Sequence, residues 1–268
     1  MIDRAQDFRD VARIDPRGDI GKGEDRLLHL LGENGIVLFQ PFEHGFAGRG
    51  GGIVQDRADT LHRPDIEGAR LIIENVLTER RKVLTEMESK ALLSAFHIPV
   101  TQTILARSAN EAMMIATQLG YPVALKIDSP DISHKSDVNG VALNVLNAVG
   151  VRDIYNTMIQ AVAKAQPGAR INGVTIQKMA RNKRGRELYI GLVTDDPFGP
   201  VIAFGAGGTM IELINDRAME LPPLNQFLAR RLIERSRVAE TLVKWRGASA
   251  VDMDALEHVL LRVSEMVC

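Results

Sequence analysis

The stretch YPVALKIDSPDISHKSDVNGV, residues 121–141, places a single lysine at the end of a short apolar run. Residues 123–125 predict a buried strand, because a short apolar run bounded by turn residues is typical of an interior strand. Lys126 ends that run, and an ammonium group at the edge of a core is costly unless a carboxylate or a phosphate meets it. The alternative is a lysine whose apolar stem packs on the core while its ammonium group reaches solvent.

A polar loop follows the lysine and separates two predicted strands. Residues 128–131, DSPD, have the composition of a turn, so the chain leaves the first strand directly after the lysine. Asn139 and Gly140 give a second turn signal, and residues 141–145, VALNV, predict the next strand.

His134, Lys135 and Asp137 lie within this loop, and such a group of chemically active side chains is more typical of a functional loop than of a simple connection. Neutral imidazole is a competent nucleophile near pH 7, which makes His134 a candidate catalytic residue. The alternative is a loop histidine that is hydrogen-bonded to Asp131 or Asp137. The residues by themselves leave both interpretations open.

Composition and charge exclude several classes of protein. The chain has 33 lysines and arginines against 34 acids, so no broad basic surface predicts binding to nucleic acid or to an anionic membrane. Its apolar runs are too short to span a bilayer, and the N-terminal MIDRAQDFRD lacks the apolar core of a signal peptide. Cys268, the single cysteine, cannot form an internal disulfide, and no spacing of cysteine and histidine suggests zinc. We therefore expect a cytoplasmic globular protein.

Residues 1–75 carry mixed signals and are predicted to be partly linker. Residues 24–31 have a helical pattern, residues 36–39 are strand-like, and residues 45–52 hold five glycines. Glycine-rich loops can hold phosphate, but this spacing matches neither the dinucleotide-binding pattern nor a phosphate loop ending in lysine and serine or threonine. A flexible linker or loop is therefore the preferred interpretation of the glycine run.

Helices and strands then alternate, as in an α/β unit. Residues 65–83 have apolar side chains at helical spacing, and Thr85 with Glu88 forms a capping box that starts a second helix. The later predicted elements are a strand at 101–106, a helix capped by Ser108 and ending at Leu119, a strand from 174 that runs into a polar turn, a hairpin at 187–204, and an amphipathic helix at 256–267.

Five further segments follow the lysine loop in a specific order and spacing. They are TIQKMA at 175–180, RELYIGLV at 186–193, DPFGPV at 196–201, FGAGG at 204–208 and LPPLN at 221–225. Together with the loop, they resemble the ATP-grasp module of the ADP-forming acyl-CoA (acetyl-CoA) synthetases. The resemblance extends to the synthetase-like half of Pat-type protein lysine acetyltransferases, and it runs from about residue 85 to the end of the chain.

The resemblance implies an α/β (α+β) fold of the ATP-grasp type, with a nucleotide cleft between two subdomains. Residues 76–172 are then the first subdomain and residues 173–268 the second. In that family the last helix is followed by a strand that ends in an acidic motif and helps to hold the metal. The sequence stops before such a strand, so we interpret the chain as a fragment or a truncated member and expect weak or absent catalysis from it alone.

The resemblance also implies a nucleotide site. Lys126 would neutralise phosphate charge, the strand end at residues 177–179 would meet adenine, and the glycine loop would lie near the phosphates. The implied contacts are Lys126, Gln177, Lys178, Met179, Glu187, Gly205, Gly207 and Gly208. Core filling by Met179 and a tight turn at the glycines are the structural alternatives.

The same resemblance assigns catalysis to the histidine loop. His134 would carry phosphate between the nucleotide and a phosphohistidine in another domain, while Lys135 and Asp137 would position the loop. Mg²⁺ would accompany ATP, with Glu212 and Asp216 as candidate ligands, and a solvated charge is the alternative for each of these two acids.

The implied reaction is acyl-CoA + ADP + phosphate ⇌ acid + CoA + ATP. The CoA thioester would bind to CoA-binding and ligase domains that this sequence lacks, in cis or as a partner subunit. We therefore predict an ATP/ADP-binding module of an ADP-forming acid–thiol ligase of the acetate–CoA ligase type. The alternative is a regulatory domain of a protein lysine acetyltransferase that senses nucleotide or acyl-CoA.

Overall fold

The computed structural model describes residues 36–39, 63–132, 134–179, 186–195, 197–207, 216–243 and 250–268. These residues divide into two compact units. The described residues within 76–91 and 99–181 form what we call the central unit, and those within 1–75, 92–98 and 182–268 form the terminal unit. The helix predicted at 24–31 and the glycine run at 45–52 lie outside the described residues.

The described elements are, in chain order, β1 (Ile36–Phe39), α1 (Ile66–Thr78), α2 (Glu86–Ala95), β2 (Thr103–Ala106), α3 (Ala109–Leu119), β3 (Val123–Asp128), a one-turn 3₁₀ helix (Lys135–Val138), β4 (Val141–Val145), α4 (Ala148–Ala165), β5 (Gly173–Lys178), β6 (Glu187–Asp195), β7 (Gly199–Ala206), β8 (Ala218–Glu220), α5 (Gln226–Glu234), α6 (Ala239–Leu242) and α7 (Met253–Val267).

The central unit is built on an antiparallel sheet with the strand order β2-β5-β3-β4. Strand β3 lies between β5 and β4, and all of its residues except Lys126 are buried. Leu125, Ile127 and Ile176 have no exposed surface, and α3 and α4 add apolar side chains to the same core. The buried strand predicted from residues 123–125 is therefore confirmed.

Short polar contacts fix where the helices begin. The Glu88 N–H donates to Thr85 Oγ1 at 3.3 Å and the Thr85 N–H donates to Glu88 Oε2 at 2.7 Å, so both arms of the predicted capping box are present. Ser108 Oγ accepts from the Glu111 N–H at 3.2 Å at the start of α3. These contacts satisfy backbone N–H groups that have no partner within the helix.

The terminal unit contains a second antiparallel sheet, with the order β1-β6-β7-β8. The predicted hairpin is confirmed, since β6 and β7 pair from Leu188 opposite Ala206 to Asp195 opposite Gly199. Strand β1 is also confirmed and pairs with β6. Helix α7 begins at Met253 rather than at residue 256, because Asp252 accepts from the Ala255 N–H at 3.0 Å and caps it.

The structure gives a more specific fold class and a different division of the chain. Both sheets are antiparallel, so the mixed fold is of the α+β type. Strand β5 pairs with β2 and β3, which places residues 173–178 in the central unit, whereas the sequence placed residue 173 at the start of the second subdomain. None of the described helices is both long enough and apolar enough to cross a bilayer.

Candidate functional site

Lys126 interrupts an otherwise buried strand. The flanking Leu125 and Ile127 have no exposed surface, whereas the Lys126 side chain is 25% exposed. Its ammonium group donates to Glu86 Oε1 at 2.9 Å. A carboxylate from α2 therefore provides the anionic partner that a lysine at the edge of a core requires.

Glu86 is the first residue of α2, and both of its carboxylate oxygens contact lysines. Oε1 also lies 3.1 Å from Lys90 Nζ, and Oε2 accepts from Lys135 Nζ at 2.9 Å. Burial alone would raise the pKa of Glu86, but the positive charges of Lys135 and Lys126 lower it from 4.5 to about 2. The carboxylate is therefore ionised at neutral pH. We call Glu86, Lys90, Lys126 and Lys135 the lysine cluster.

The lysine cluster combines three amino groups with one carboxylate, which leaves an excess of positive charge. Burial lowers the pKa of Lys90, and the neighbouring charges of Lys126 and Lys135 lower it further, while Glu86 opposes these effects. Cations held close together by a single carboxylate attract a further anion. A phosphate chain suits such a site, because its oxygens accept charge-assisted hydrogen bonds from several donors.

Lys90 connects the cluster to the predicted adenine-binding strand end. Its ammonium group donates to Gln177 Oε1 at 3.0 Å and to the hydroxyl groups of Thr101 and Thr103. Gln177 therefore lies in direct contact with the cluster.

The next two residues of this strand end are arranged differently. The Lys178 side chain is exposed, and the Met179 N–H donates to the Pro122 carbonyl oxygen at 3.0 Å. The adenine contacts assigned to Gln177, Lys178 and Met179 stay predictions.

His134 immediately precedes the 3₁₀ turn and is exposed. Among the described residues, its imidazole has no hydrogen-bond partner. Asp131 instead accepts from the backbone N–H and the guanidinium of Arg170 at 2.8 and 2.9 Å, and the exposed Asp137 donates its backbone N–H to the His134 carbonyl at 3.3 Å. Among the described residues, the His134 imidazole is therefore not hydrogen-bonded to Asp131 or Asp137. Its neighbour Lys135 belongs to the lysine cluster.

The predicted glycine contacts lie in the terminal unit, where they allow close approach of backbones. A Cβ atom on Gly205 would lie 1.7 Å from the Asp216 carbonyl oxygen, and one on Gly207 would lie 2.8 Å from the Leu188 carbonyl carbon. The Gly207 N–H donates to the Glu187 carbonyl oxygen at 2.7 Å. These contacts give both glycines a packing role. Their role and that of Glu187 at a nucleotide stay predictions, and Gly208 lies outside the described residues.

Of the two predicted metal ligands, Asp216 is described and Glu212 is not. The Asp216 carboxylate is buried and accepts from three backbone N–H groups, those of Ala206 at 3.2 Å, Arg237 at 2.7 Å and Val238 at 2.8 Å. Within the part of the chain that the structure describes, no three acids, histidines or cysteines are grouped so as to hold a metal ion. The Asp216 carboxylate is thus bound by backbone N–H groups, and the assignment of Glu212 and Asp216 as metal ligands stays a prediction.

Two members of the lysine cluster, Glu86 and Lys90, were missed by the sequence analysis. They are a carboxylate and an ammonium at positions i and i+4 of one helix, a spacing that places both on the same helix face. That spacing was the available signal. It does not indicate partners, because Lys126 is 40 residues from Glu86 along the chain.

Comparison with known proteins identifies the family. Residues 75–268 match the model of an ATP-grasp domain family. The β subunit of the ADP-forming acetate–CoA ligase II of Pyrococcus furiosus is 37% identical over 196 residues, which are 73% of this chain and 82% of that protein. The chain belongs to the ATP-grasp family of the ADP-forming acyl-CoA synthetases. The family predicted from the sequence is therefore confirmed.

Other relatives of this ATP-grasp domain are longer proteins. The ADP-forming 4-hydroxybutyrate–CoA ligase of Nitrosopumilus maritimus is 36% identical over 199 residues, which are 74% of this chain but 28% of that protein. The matched region is therefore one part of that ligase.

Solved structures show the same similarity for the ATP-grasp domain. The dinucleotide-forming acetyl-coenzyme A synthetase 1 of Ca. Korarchaeum cryptofilum, in complex with coenzyme A, Ca-AMPCP and HgCl+, has a TM-score of 0.68 and 37% identity, over 74% of this chain and 85% of that chain. A second structure of that synthetase contains coenzyme A and Mg-AMPPCP, with its phosphohistidine segment pointing towards the nucleotide binding site. Its TM-score is 0.63 at 34% identity, over 74% of this chain and 84% of that chain. The predicted fold class is confirmed.

Proposed function

We propose that this ATP-grasp domain binds ATP and ADP as the nucleotide-binding part of an ADP-forming acyl-CoA synthetase, with Lys126 as a phosphate ligand and His134 as a phosphate carrier. The observation that carries the proposal is the lysine cluster. The Glu86 carboxylate accepts hydrogen bonds from both Lys126, which lies on β3, and Lys135, which directly follows His134. The excess positive charge therefore lies beside the proposed phosphate carrier.

The proposed chemistry is transfer of a phosphoryl group between His134 and the nucleotide. In the direction of ATP formation, a terminal phosphate oxygen of ADP attacks the phosphorus of phosphorylated His134. The nitrogen–phosphorus bond breaks, and because the other ring nitrogen of the phosphorylated imidazole carries a proton, neutral imidazole is left behind. Lys126 stabilises the negative charge of the phosphate oxygens during the transfer. The exposure of His134 supports this role, because the imidazole is accessible to a phosphate donor.

The acyl and CoA steps belong to other domains in this proposal. The relatives support it, since one is named as a β subunit and another is a much longer single chain. The proposal includes a CoA-binding and ligase part, joined in cis or supplied as a partner subunit. It also includes Mg²⁺ as the companion of ATP.

Isothermal titration calorimetry with ATP and with ADP tests the proposal. Replacement of Lys126 by Ala removes a charge-assisted contact to phosphate, which is worth about 1.5–3 kcal/mol. We therefore expect the Kd for ATP to rise by about 10- to 100-fold. Lys164→Ala is the matched control, because Lys164 is exposed on α4 of the same unit. An unchanged Kd for the Lys126 variant contradicts the proposal.

The regulatory alternative differs from the proposal in the fate of phosphate. Labelled phosphate is supplied to the wild type together with the CoA-binding and ligase domains, and label on His134 is measured by mass spectrometry. A phosphorylated His134 supports the carrier role, whereas nucleotide binding without label favours the regulatory domain.

A further inference from the structure

The turn that carries His134 is firmly attached at its C-terminal end. Val138 is buried, and the Gly140 N–H donates to the Lys135 carbonyl oxygen at 2.7 Å. The Gly140 carbonyl oxygen accepts from the Ile127 N–H of β3 at 2.7 Å. A Cβ atom on Gly140 would lie 2.5 Å from Ile127 Cγ2. This end of the turn therefore packs directly on the central sheet.

The N-terminal end is also attached through a side chain. Lys135 Nζ donates to Glu86 Oε2 at 2.9 Å, and the two side chains are 17% and 16% exposed. His134 is adjacent to Lys135, and its imidazole has no hydrogen bond to the described residues, while its carbonyl oxygen accepts from the Asp137 N–H at 3.3 Å. The Lys135–Glu86 ion pair therefore helps to fix the position of His134, in addition to the backbone hydrogen bonds of the turn.

The same carboxylate also determines where Lys126 lies. Lys126 and Lys135 carry like charges, so without a shared anion they repel one another. Glu86 itself is well fixed, because it occupies the first position of α2, beside the capping box of Thr85 and Glu88. A fixed carboxylate between two longer cationic side chains is suited to hold both of them in one arrangement.

We propose that Glu86 is a positioning residue that presents Lys126 and the His134 turn together to the phosphate chain of the nucleotide. It acts through the two lysines that it holds. The role of this arrangement in phosphate binding rests on the proposed function. The arrangement itself is a property of the nucleotide-free protein, so it is testable without nucleotide.

The test uses NMR spectroscopy of the full chain labelled with ¹³C at histidine Cε1, which gives six resonances because the chain has six histidines. The His134 resonance is assigned with His134→Gln. We expect Glu86→Gln and Lys135→Met each to move the His134 resonance and to leave the other five in place. The double variant should move it no further than one of the single variants does, because both changes remove the same contact.

Glu79→Gln is the matched control, since Glu79 is a glutamate of the same unit that pairs with Arg81 at 2.8 Å and not with the lysine cluster. It should leave the His134 resonance where it is. Glu86→Asp keeps the charge on a shorter side chain that does not reach both lysines. We expect it to move the resonance, and it replaces Glu86→Gln if that variant does not fold.

An unmoved His134 resonance in a folded Glu86 variant overturns the proposal, and so do additive shifts in the double variant. A purely structural role for Glu86 predicts a lower melting temperature with the His134 resonance unmoved. Failure of the proposed function gives a different pattern, because ATP affinity would then survive Lys126→Ala while the shifts caused by Glu86→Gln persist.

Discussion

Glu86 in the central unit and Asp216 in the terminal unit are both largely buried carboxylates, but different kinds of partner hold them. Glu86 contacts the amino groups of three lysines, which come from α2, β3 and the 3₁₀ turn. Asp216 accepts from three backbone N–H groups. Lysine side chains carry net charge and can change conformation, whereas backbone N–H groups are uncharged and fixed by the fold.

The difference separates a candidate binding site from a structural link. Around Glu86 the cations outnumber the carboxylate, so an additional anion is attracted and the lysines can turn towards it. Around Asp216 the hydrogen-bond donors are part of the backbone, so releasing them would require local unfolding. A buried acid therefore points to ligand binding only when its partners leave unbalanced charge that a ligand can meet.

The largest expected effect is that of Asp216→Ala on stability. The change leaves three backbone N–H groups without their acceptor, and each unsatisfied group costs about 1–3 kcal/mol. We expect the free energy of unfolding to fall by about 3–5 kcal/mol, measured by urea denaturation. Asp216→Asn keeps one carbonyl oxygen and should lose less. A loss of less than about 1 kcal/mol for the alanine variant would contradict the structural role of Asp216.

Glu86→Gln should have a smaller and pH-dependent effect. The pKa of Glu86 is about 2 in the folded protein against 4.5 ordinarily, so its stabilising contribution is complete above pH 4.5 and is lost as the pH falls towards 2. After allowance for partial exposure, we expect a destabilisation of about 2 kcal/mol at pH 7. The difference in unfolding free energy between wild type and variant should shrink steadily between pH 4.5 and pH 2. If the difference in unfolding free energy stays constant over this range, the lysines do not lower the pKa of Glu86 in the folded protein.

Thr85→Ala should have the smallest effect on stability, and it tests whether the cap of α2 fixes the position of Glu86. Loss of the N-cap contact to Glu88 typically costs about 1 kcal/mol. Because Glu86 lies in the first turn of α2, we expect faster amide hydrogen exchange in residues 86–89 than in the rest of the helix. Ser94→Ala, at an exposed position of the same helix, is the control. Equal exchange in the two variants would mean that the cap does not fix the position of Glu86.

The sequence predicted those features that depend on neighbouring residues. The capping box at Thr85, the hairpin from residue 187 and the buried strand before Lys126 all follow from patterns only a few residues long. The family also followed from the sequence, because ordered segments with fixed spacing are specific even when each one is weak.

Contacts between residues that are distant in sequence escaped prediction. Gln177, in the strand end predicted to bind adenine, is 87 residues from Lys90, yet their side chains are hydrogen-bonded. The boundary expected at residue 173 moved for the same reason, since β5 completes a sheet with β2 and β3. Such contacts depend on strand order and on where α2 lies, and neither leaves a mark in a local pattern.

The sequence by itself determined that this chain has an ATP-grasp fold with a lysine at the edge of its core and a histidine in the following loop. Only the tertiary structure decided that Glu86 contacts both that lysine and Lys135 of the histidine turn, and that Asp216 accepts hydrogen bonds from the backbone. The physical reason is that propensity, capping and hydrophobic pattern act over a few residues. Electrostatic contacts act through space and depend on which side chains folding brings together.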